Sequence, residues 1–323
     1  MCVIWLDRDS DLNEHVFHRV HNKYNIHIMT KIAVLCLEKC VEKETEKHIV
    51  FYGSVSSFRH KTQINHSSKN SRRSISMGKL DGKIALITGG SEGIGFATAR
   101  KFLDEGVEHV FITGRRQEVL DESVKNLASN KVSGIQADSS NLTDLDKVYC
   151  IIKEQKGRLD ILFANAGTGL FGRIDSLTEK HFDDLMNLNV KGVLFTVQKA
   201  LPIFSDGGSI ILNGSIYSIK GDVGRSVYCA SKAAVRSFAR CWTMDLKERR
   251  IRVNVVSPGF TDTPLLRMAL DMGANFADVM NSSPINRFGD AQEIASAVVF
   301  LACDDSSYIT GIELFVDGGL AQI

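Results

Sequence analysis

The sequence predicts an α/β fold: a doubly wound parallel sheet with helices on both faces, formed as a single domain behind an N-terminal extension. Two observations predict it. Short apolar runs alternate with helical patterns from residue 83 to residue 316. The turns at the ends of these runs are rich in small and polar residues, and open parallel sheets hold their ligands at such strand ends.

Lys83-Ile84-Ala85-Leu86-Ile87-Thr88-Gly89 reads as a buried parallel strand. The turn Gly89-Gly90-Ser91-Glu92-Gly93-Ile94-Gly95 follows, and a helical pattern runs from Phe96 to Leu103. Glycines between a strand and a helix let backbone N–H groups approach a pyrophosphate at the helix N-terminus. The second strand, 109–113, ends at Gly114-Arg115-Arg116. Arg115 stands where a group selecting between dinucleotides belongs. An acid there accepts from a ribose 2′-OH, whereas an arginine pairs with a 2′-phosphate. This favours NADP(H) over NAD(H); the alternative is a pair of solvated surface arginines, and Glu92 adds no positive charge.

The alternation continues with a strand over 132–137, Asp138 at its end being placed to meet an adenine ring. A helix over 143–155 follows, with Asn141 or Thr143 as its cap. A strand over 159–163 closes in Ala164-Asn165-Ala166-Gly167, and a long helical stretch spans 178–204. Next come a strand over 209–213, a helix after Ser226 and a strand over 251–256 ending in Ser257-Pro258-Gly259. A helix over 291–302 and a strand over 312–316 precede Asp317-Gly318-Gly319. Residues 262–288 interrupt the rhythm and are expected to form a lid. Its Leu265, Leu266, Met268, Leu270, Met272 and Phe276 read equally as the wall of an apolar or amphipathic substrate site and as core or subunit interface. Phe171, Ile216, Tyr217 and Val223 are further pocket candidates.

Tyr228 and Lys232 are four apart, which sets them on one helix face, one turn from each other. A phenol ordinarily titrates near ~10. A neighbouring ammonium stabilises the phenolate and lowers that value, as a general acid/base requires. Ser215, at the end of the run from Ser209, could hold a substrate oxygen against the same phenol. An ordinary helix surface pair is the alternative that this spacing leaves open.

Charged residues make up 24% and hydrophobic residues 44% of the 323 residues, the balance of a soluble globular protein. The formal net charge of +1 gives no bulk attraction for nucleic acid. Seven scattered cysteines without a C-x-x-C pair argue against a metal site or disulfide framework and for a reducing, cytoplasmic setting. No apolar run reaches the length of a membrane span. Residues 1–76 differ from the rest: they carry 12 Lys and Arg against 8 Asp and Glu, and hold seven of the nine histidines. A helix or two over 26–50 and a disordered linker over 53–76 are expected. The spacing of His15, His18 and His21 reads as a polar solvated segment rather than a metal site. Met77 reads as the natural start, with 77–323 as the dinucleotide-binding and catalytic domain.

Taken together, residues 80–319 resemble the short-chain dehydrogenase/reductase family in its single-domain form. Thr88-Gly89-x-x-x-Gly93-x-Gly95 resembles its cofactor loop and Asn165-Ala166-Gly167 its Asn-Ala-Gly turn, with Ala164 where an Asn usually precedes. Asn189, Ser215, Tyr228 and Lys232 match its catalytic tetrad. Pro258-Gly259, with Thr261 and Thr263, resembles the turn that holds the nicotinamide carboxamide, and Asp317-Gly318-Gly319 its closing motif. The resemblance implies a Rossmann-type domain, usually a homotetramer and otherwise a dimer, that moves a hydride between nicotinamide and a small carbonyl or alcohol substrate. It implies Tyr228 as proton donor or acceptor, Lys232 on the ribose hydroxyls, Ser215 on the substrate oxygen and Asn189 holding a water. A 3-oxoacyl-carrier-protein reductase, whose acidic carrier Arg225, Arg267 and Arg287 could meet, and a non-catalytic dinucleotide sensor are the alternatives.

Overall fold

In the computed structural model, which describes residues 78–271, 276–281 and 283–322, the first apolar run becomes β1 (Ile84–Ile87), with all four residues buried. Its side chains alternate between two cores: Ile84 and Leu86 join one cluster, Ala85 and Ile87 the other. A strand covered on both faces must be apolar at every position, which is why the run has no polar alternation.

α1 (Gly93–Asp104) leads to β2 (His109–Gly114), α2 (Gln117–Leu127) to β3 (Val132–Gln136), and α3 (Leu142–Lys156) to β4 (Leu159–Ala164). After α4 (Glu179–Met186) and α5 (Val193–Ala200) come β5 (Phe204–Asn213), α6 (Ser226–Asp245) and β6 (Arg252–Pro258). The segment expected as a lid carries α7 (Pro264–Asp271) and α8 (Phe276–Asn281) between two short strands, β7 (Thr261–Asp262) and β8 (Gly289–Asp290), which pair with each other. α9 (Ala291–Ala302) and β9 (Glu313–Val316) close the domain.

The seven-stranded sheet is parallel, in the order β3-β2-β1-β4-β5-β6-β9. The chain winds outward from β1 to β3, then returns to β4 on the other side of β1. That reversal opens a crevice beyond the carboxyl ends of β1 and β4. α3, α5 and α6 cover one face through Val148, Val197 and Val235. α1, α2 and α9 cover the other through Phe102, Leu120 and Val298.

Caps set several helix starts. Asn141, not Thr143, caps α3 by accepting from the backbone N–H groups of Thr143 and Asp144. Asp290 and Glu293 form a reciprocal capping box at α9.

The structure departs from the sequence expectation in three places. The long helix of 178–204 is broken by a π-helical turn, Asn187–Gly192, and ends before β5. β5 begins at Phe204, five residues early, because its pairing with β4 shifts register between Leu159 and Ile161 and so absorbs Gly207 and Gly208. α2, which was not singled out, fills the connection from β2 to β3. The expectations for residues 1–77, including the helix over 26–50, the linker, the histidines and Met77, lie outside the described residues, as does Met272.

Candidate active site

Gly89 (φ +62°) and Gly93 (φ +54°) hold left-handed backbone, a region that side chains disfavour. A Cβ on Gly95 would lie 2.2 Å from the Gly89 carbonyl oxygen and 2.7 Å from Asn165 Nδ2. Glycine is what lets α1 start hard against the ends of β1 and β4. Glu92 occupies the cap position of α1, yet its side chain caps no backbone N–H. The first turn of the helix therefore presents its N–H groups to the cleft, as an anion requires.

Thr88 is buried, and its Oγ1 accepts from the backbone N–H groups of Asn165 and Ala166, both at 3.0 Å. Asn165 Nδ2 donates back to the carbonyls of Thr88 and Gly89 at 2.9 and 3.0 Å. Asn213 Nδ2 donates to Asn165 Oδ1 at 2.9 Å, tying the ends of β1, β4 and β5 together. Asn213 Oδ1 is buried without a partner among the described residues, an orphaned acceptor in the wall of the cleft.

Beyond β2, Arg116 forms an ion pair with Glu92 of the glycine turn. The Arg115 side chain has no ion-pair partner among the described residues, and it lines the same cleft. Asp138 also lines it, at the end of β3, its Oδ1 accepting from Ser140 N and Oγ at 2.8 and 2.7 Å.

Ser215, Tyr228 and Lys232 all line the cleft. Ser215 is buried and accepts from Tyr217 N, and it lines the cleft close enough to the Tyr228 phenol to act on its pKa. Lys232 Nζ donates to the Asn213 carbonyl at 2.9 Å and lies 5.6 Å from the Tyr228 ring centroid. Here the geometry corrects the sequence reading. Burial pushes the Tyr228 phenol above its ordinary value, opposed by the Ser215 hydroxyl and the positive charge of Arg225. Burial likewise pushes Lys232 down to about 8. Spacing alone does not reveal that the ammonium is itself desolvated and turned toward a carbonyl.

Asn189 sits inside the π-helical turn and is buried. Its Oδ1 accepts from Thr168 N, and its Nδ2 donates to the Thr168 carbonyl, both at 2.9 Å. Nδ2 also reaches Ser231 Oγ at 3.3 Å. A Cβ on Gly167 would lie 3.3 Å from Asn189 Oδ1 and 3.7 Å from Lys232 Nζ, so Asn189 and Lys232 flank the same turn. The extra residue of a π turn is what rotates the carboxamide onto that backbone.

Pro258, Gly259, Thr261 and Thr263 also line the cleft, as do Leu265 and Leu266 of α7. A Cβ on Gly259 would lie 2.8 Å from Asp317 Cα, so this turn is braced by the closing Asp-Gly-Gly motif. The cleft has a volume of about 390 Å³ and also takes in Gly89, Ser91, Gly93, Ile94, Ala166 and Gly167. Thr88, Gly95 and Asn189 stand behind its wall and shape it. Of the further pocket candidates, Phe171 lines the cleft, Ile216 and Tyr217 are buried beside it, and Val223 is exposed away from it. Met268 is exposed. Asn213 and Leu188 are lining residues that nothing local in the sequence marks. The three arginines considered for an acidic carrier each hold an acid: Arg225 with Asp222, Arg267 with Asp262, Arg287 with Glu293.

An open helix N-terminus, glycines that admit close approach and an orphaned acceptor fit a nicotinamide dinucleotide. A doubly wound sheet carrying a Ser-Tyr-Lys group at such a cleft defines a dinucleotide-dependent oxidoreductase. The family model described as "Enoyl-(Acyl carrier protein) reductase" matches residues 89–321. The "Oxidoreductase asL5" of Sarocladium schorii is 44% identical over 248 residues, 76% of this chain and 98% of that protein. A 3-oxoacyl-[acyl-carrier-protein] reductase of Thermotoga maritima is 36% identical, over 75% of this chain and 99% of its own. The crystal structure of a blue fluorescent protein from a metagenomic library, in complex with NADPH, superposes with a TM-score of 0.71 at 33% identity, covering 75% of this chain and 99% of that one. The chain belongs to the short-chain dehydrogenase/reductase family and is an oxidoreductase. Among the described residues, no helix is long and apolar enough to cross a membrane.

Proposed function

We propose that residues 77–323 form an NADP(H)-preferring reductase of small carbonyl compounds, acting on a ketone or aldehyde and, in reverse, on the corresponding alcohol. The observation that carries this reading is that one cleft is lined by Ser215, Tyr228 and Lys232 and also by Arg115 and the residues that open α1. Arg116 is engaged by Glu92, which leaves Arg115 as the cation for a 2′-phosphate.

A nicotinamide dinucleotide bound in the cleft supplies or takes the hydride. The chain does the rest. Ser215 orients the substrate oxygen against the phenol of Tyr228, which gives that oxygen its proton as the carbonyl becomes an alcohol. Lys232 remains mainly an ammonium at neutral pH, since burial lowers it only to about 8. Its charge stabilises the phenolate that Tyr228 leaves behind, and its Nζ stands ready for ribose hydroxyls. Asn189 is a positioning residue that fixes the backbone of Thr168 and the helix carrying Lys232; a water held there would link Lys232 to solvent. Thr88 and Asn165 fix the turns that receive the dinucleotide, with Gly89, Ser91, Gly93, Ile94, Asp138, Ala166, Gly167, Pro258, Gly259, Thr261 and Thr263 as its contacts. We also propose a cytoplasmic homo-oligomer, from the scattered cysteines and the habit of the family.

A carrier-bound substrate is the second reading, favoured by the likeness to the Thermotoga maritima reductase. Arg267 and Arg287 each spend two nitrogens on an acid, Asp262 and Glu293, which leaves less positive charge for an acidic carrier and so weighs toward a free small molecule. The test is Tyr228→Phe, with NADPH consumption measured on a panel of ketones and aldehydes. Turnover should fall at least about a hundredfold with cofactor affinity unchanged. Near-normal turnover would remove Tyr228 from its role.

A further inference from the structure

Arg225 stands just before α6 and lines the cleft beside Tyr228. Its guanidinium carbon lies 4.4 Å from the Phe171 ring centroid and 4.7 Å from that of Tyr217. Both rings meet the ring of Tyr228 edge-on, with centroids at 5.7 and 6.1 Å. Asp222 fixes the assembly: its Oδ2 accepts from Arg225 Nε at 2.9 Å and from the Tyr217 hydroxyl at 2.9 Å. The Arg225 side chain is only 19% exposed. Its two Nη nitrogens nevertheless donate to nothing among the described residues.

That pattern is unlike a structural arginine in the same protein. Arg249 spends every arm of its guanidinium, with Nε on Asp206, Nη1 on the Leu201 carbonyl and Nη2 on the Phe204 carbonyl. Arg225 is anchored through Nε and through aromatic faces, which holds the plane while leaving the two-pronged end open. Such an end matches the two oxygens of a carboxylate, and a preorganised, poorly hydrated guanidinium binds one with little ordering cost. Phe171 and Tyr228, which line the cleft with Arg225, offer the rest of the ligand an apolar wall.

We propose that Arg225 is the substrate-specificity residue and that the preferred substrate is a keto acid with an aromatic or apolar body, whose carboxylate Arg225 takes through its two Nη groups. This rests on the reductase reading above and names its substrate class. The carboxylate is a spectator in the chemistry. The ketone carbon gains a hydride, the ketone oxygen gains the proton of Tyr228, and a hydroxy acid leaves.

The probes are 4-acetylbenzoate and its methyl ester, reduced by the full-length enzyme with NADPH. Wild type should show kcat/KM at least about tenfold higher for the acid, roughly the weight of one charge-assisted contact. Arg225→Gln should bring the ratio of the two close to one, mainly through the KM of the acid, and Arg225→Lys should restore part of it. Equal kcat/KM for acid and ester in wild type, or a ratio that Arg225→Gln leaves unmoved, overturns the proposal. Calorimetric titration of the wild-type enzyme saturated with NADP+ reads the same site without turnover and without a variant that must fold. Benzoate should bind at least about tenfold tighter than benzamide; equal binding overturns the proposal. If neither ketone is reduced, the choice of reaction fails, and the benzoate–benzamide comparison alone decides the role of Arg225.

Discussion

Lys232 Nζ lies 5.6 Å from the centroid of the Tyr228 ring and gives its hydrogen bond to the Asn213 carbonyl, at 2.9 Å, rather than to the phenol. The two groups therefore act on each other through charge across a short gap, in a place where burial disfavours both of their ionised forms. A proton taken from Tyr228 leaves an ion pair where a buried lone charge stood before.

Burial lowers Lys232 from 10.5 to about 8. Between those values the unfolded chain holds the proton that the folded protein has released, so Lys232 makes stability rise with pH across that window. Below about pH 8 both states are protonated, and the folded protein carries the full cost of the buried charge. Lys232→Met removes that cost, so the variant should be more stable than wild type at pH 7. The gap should narrow as pH rises from 8 to 10.5. Denaturant melts at several pH values check this, and a gap independent of pH would contradict it.

Gly95→Ala should cost about 1–3 kcal/mol and weaken dinucleotide binding, because its Cβ meets backbone at 2.2 Å and cannot be accommodated by a rotamer change. Gly221→Ala is the control, since nothing lies within 4 Å of its Cβ. It should stay within about 0.5 kcal/mol of wild type. Chemical denaturation and a fluorescence titration with NADPH check both variants.

Sequence and structure agree most closely where the determinants are local. The glycine turn, Asn165-Ala166-Gly167 and the Tyr228–Lys232 spacing are contiguous or one helical turn apart, so each could be read directly. α9 was legible to the residue, because its Asp290–Glu293 capping box and apolar face are both local. The π turn at Asn187–Gly192 was not legible, since its residues continue a helical pattern; what produces it is contact across the fold. A Cβ on Gly192, for example, would lie 2.8 Å from the Ser139 carbonyl oxygen. Phe204 reads as the end of a helical stretch and Ser209 as the start of the strand, but pairing with β4 begins the strand at Phe204. The setting of Arg225 draws on residues 171, 217 and 222, and no spacing along the chain announces that meeting. The raised pKa of Tyr228 is hidden from the sequence for the same reason, because burial is a property of the whole fold.

Glu293 accepts from both Nη groups of Arg287 and from Asp290 N, and these contacts hold its carboxylate down at about 2. Its contribution to stability is present above pH 4.5 and is lost as pH falls through 2. Glu293→Gln keeps an acceptor for Asp290 N and removes the charge facing Arg287, so it should cost no more than about 1 kcal/mol at pH 7, because the ion pair is half exposed. Thermal melts should show that difference shrinking below pH 4.5 and vanishing near pH 2.

A chain beginning at Met77 should fold and retain the activity of the full-length protein, since the matched relatives are covered almost end to end by 248 or fewer residues of this chain. Circular dichroism and an NADPH consumption assay check this; loss of either fold or activity would give residues 1–76 a part in the domain.

The central claim, an NADP(H)-linked reductase that reads the 2′-phosphate through Arg115, is tested most directly by fluorescence titration with NADPH and with NADH. NADPH should bind at least about tenfold tighter, roughly 1.4 kcal/mol, and Arg115→Ala should abolish the difference while Arg116→Ala, whose partner is Glu92, should leave most of it. Equal or tighter binding of NADH by the wild-type protein would contradict the claim, making Arg115 a bystander and the enzyme an oxidising dehydrogenase.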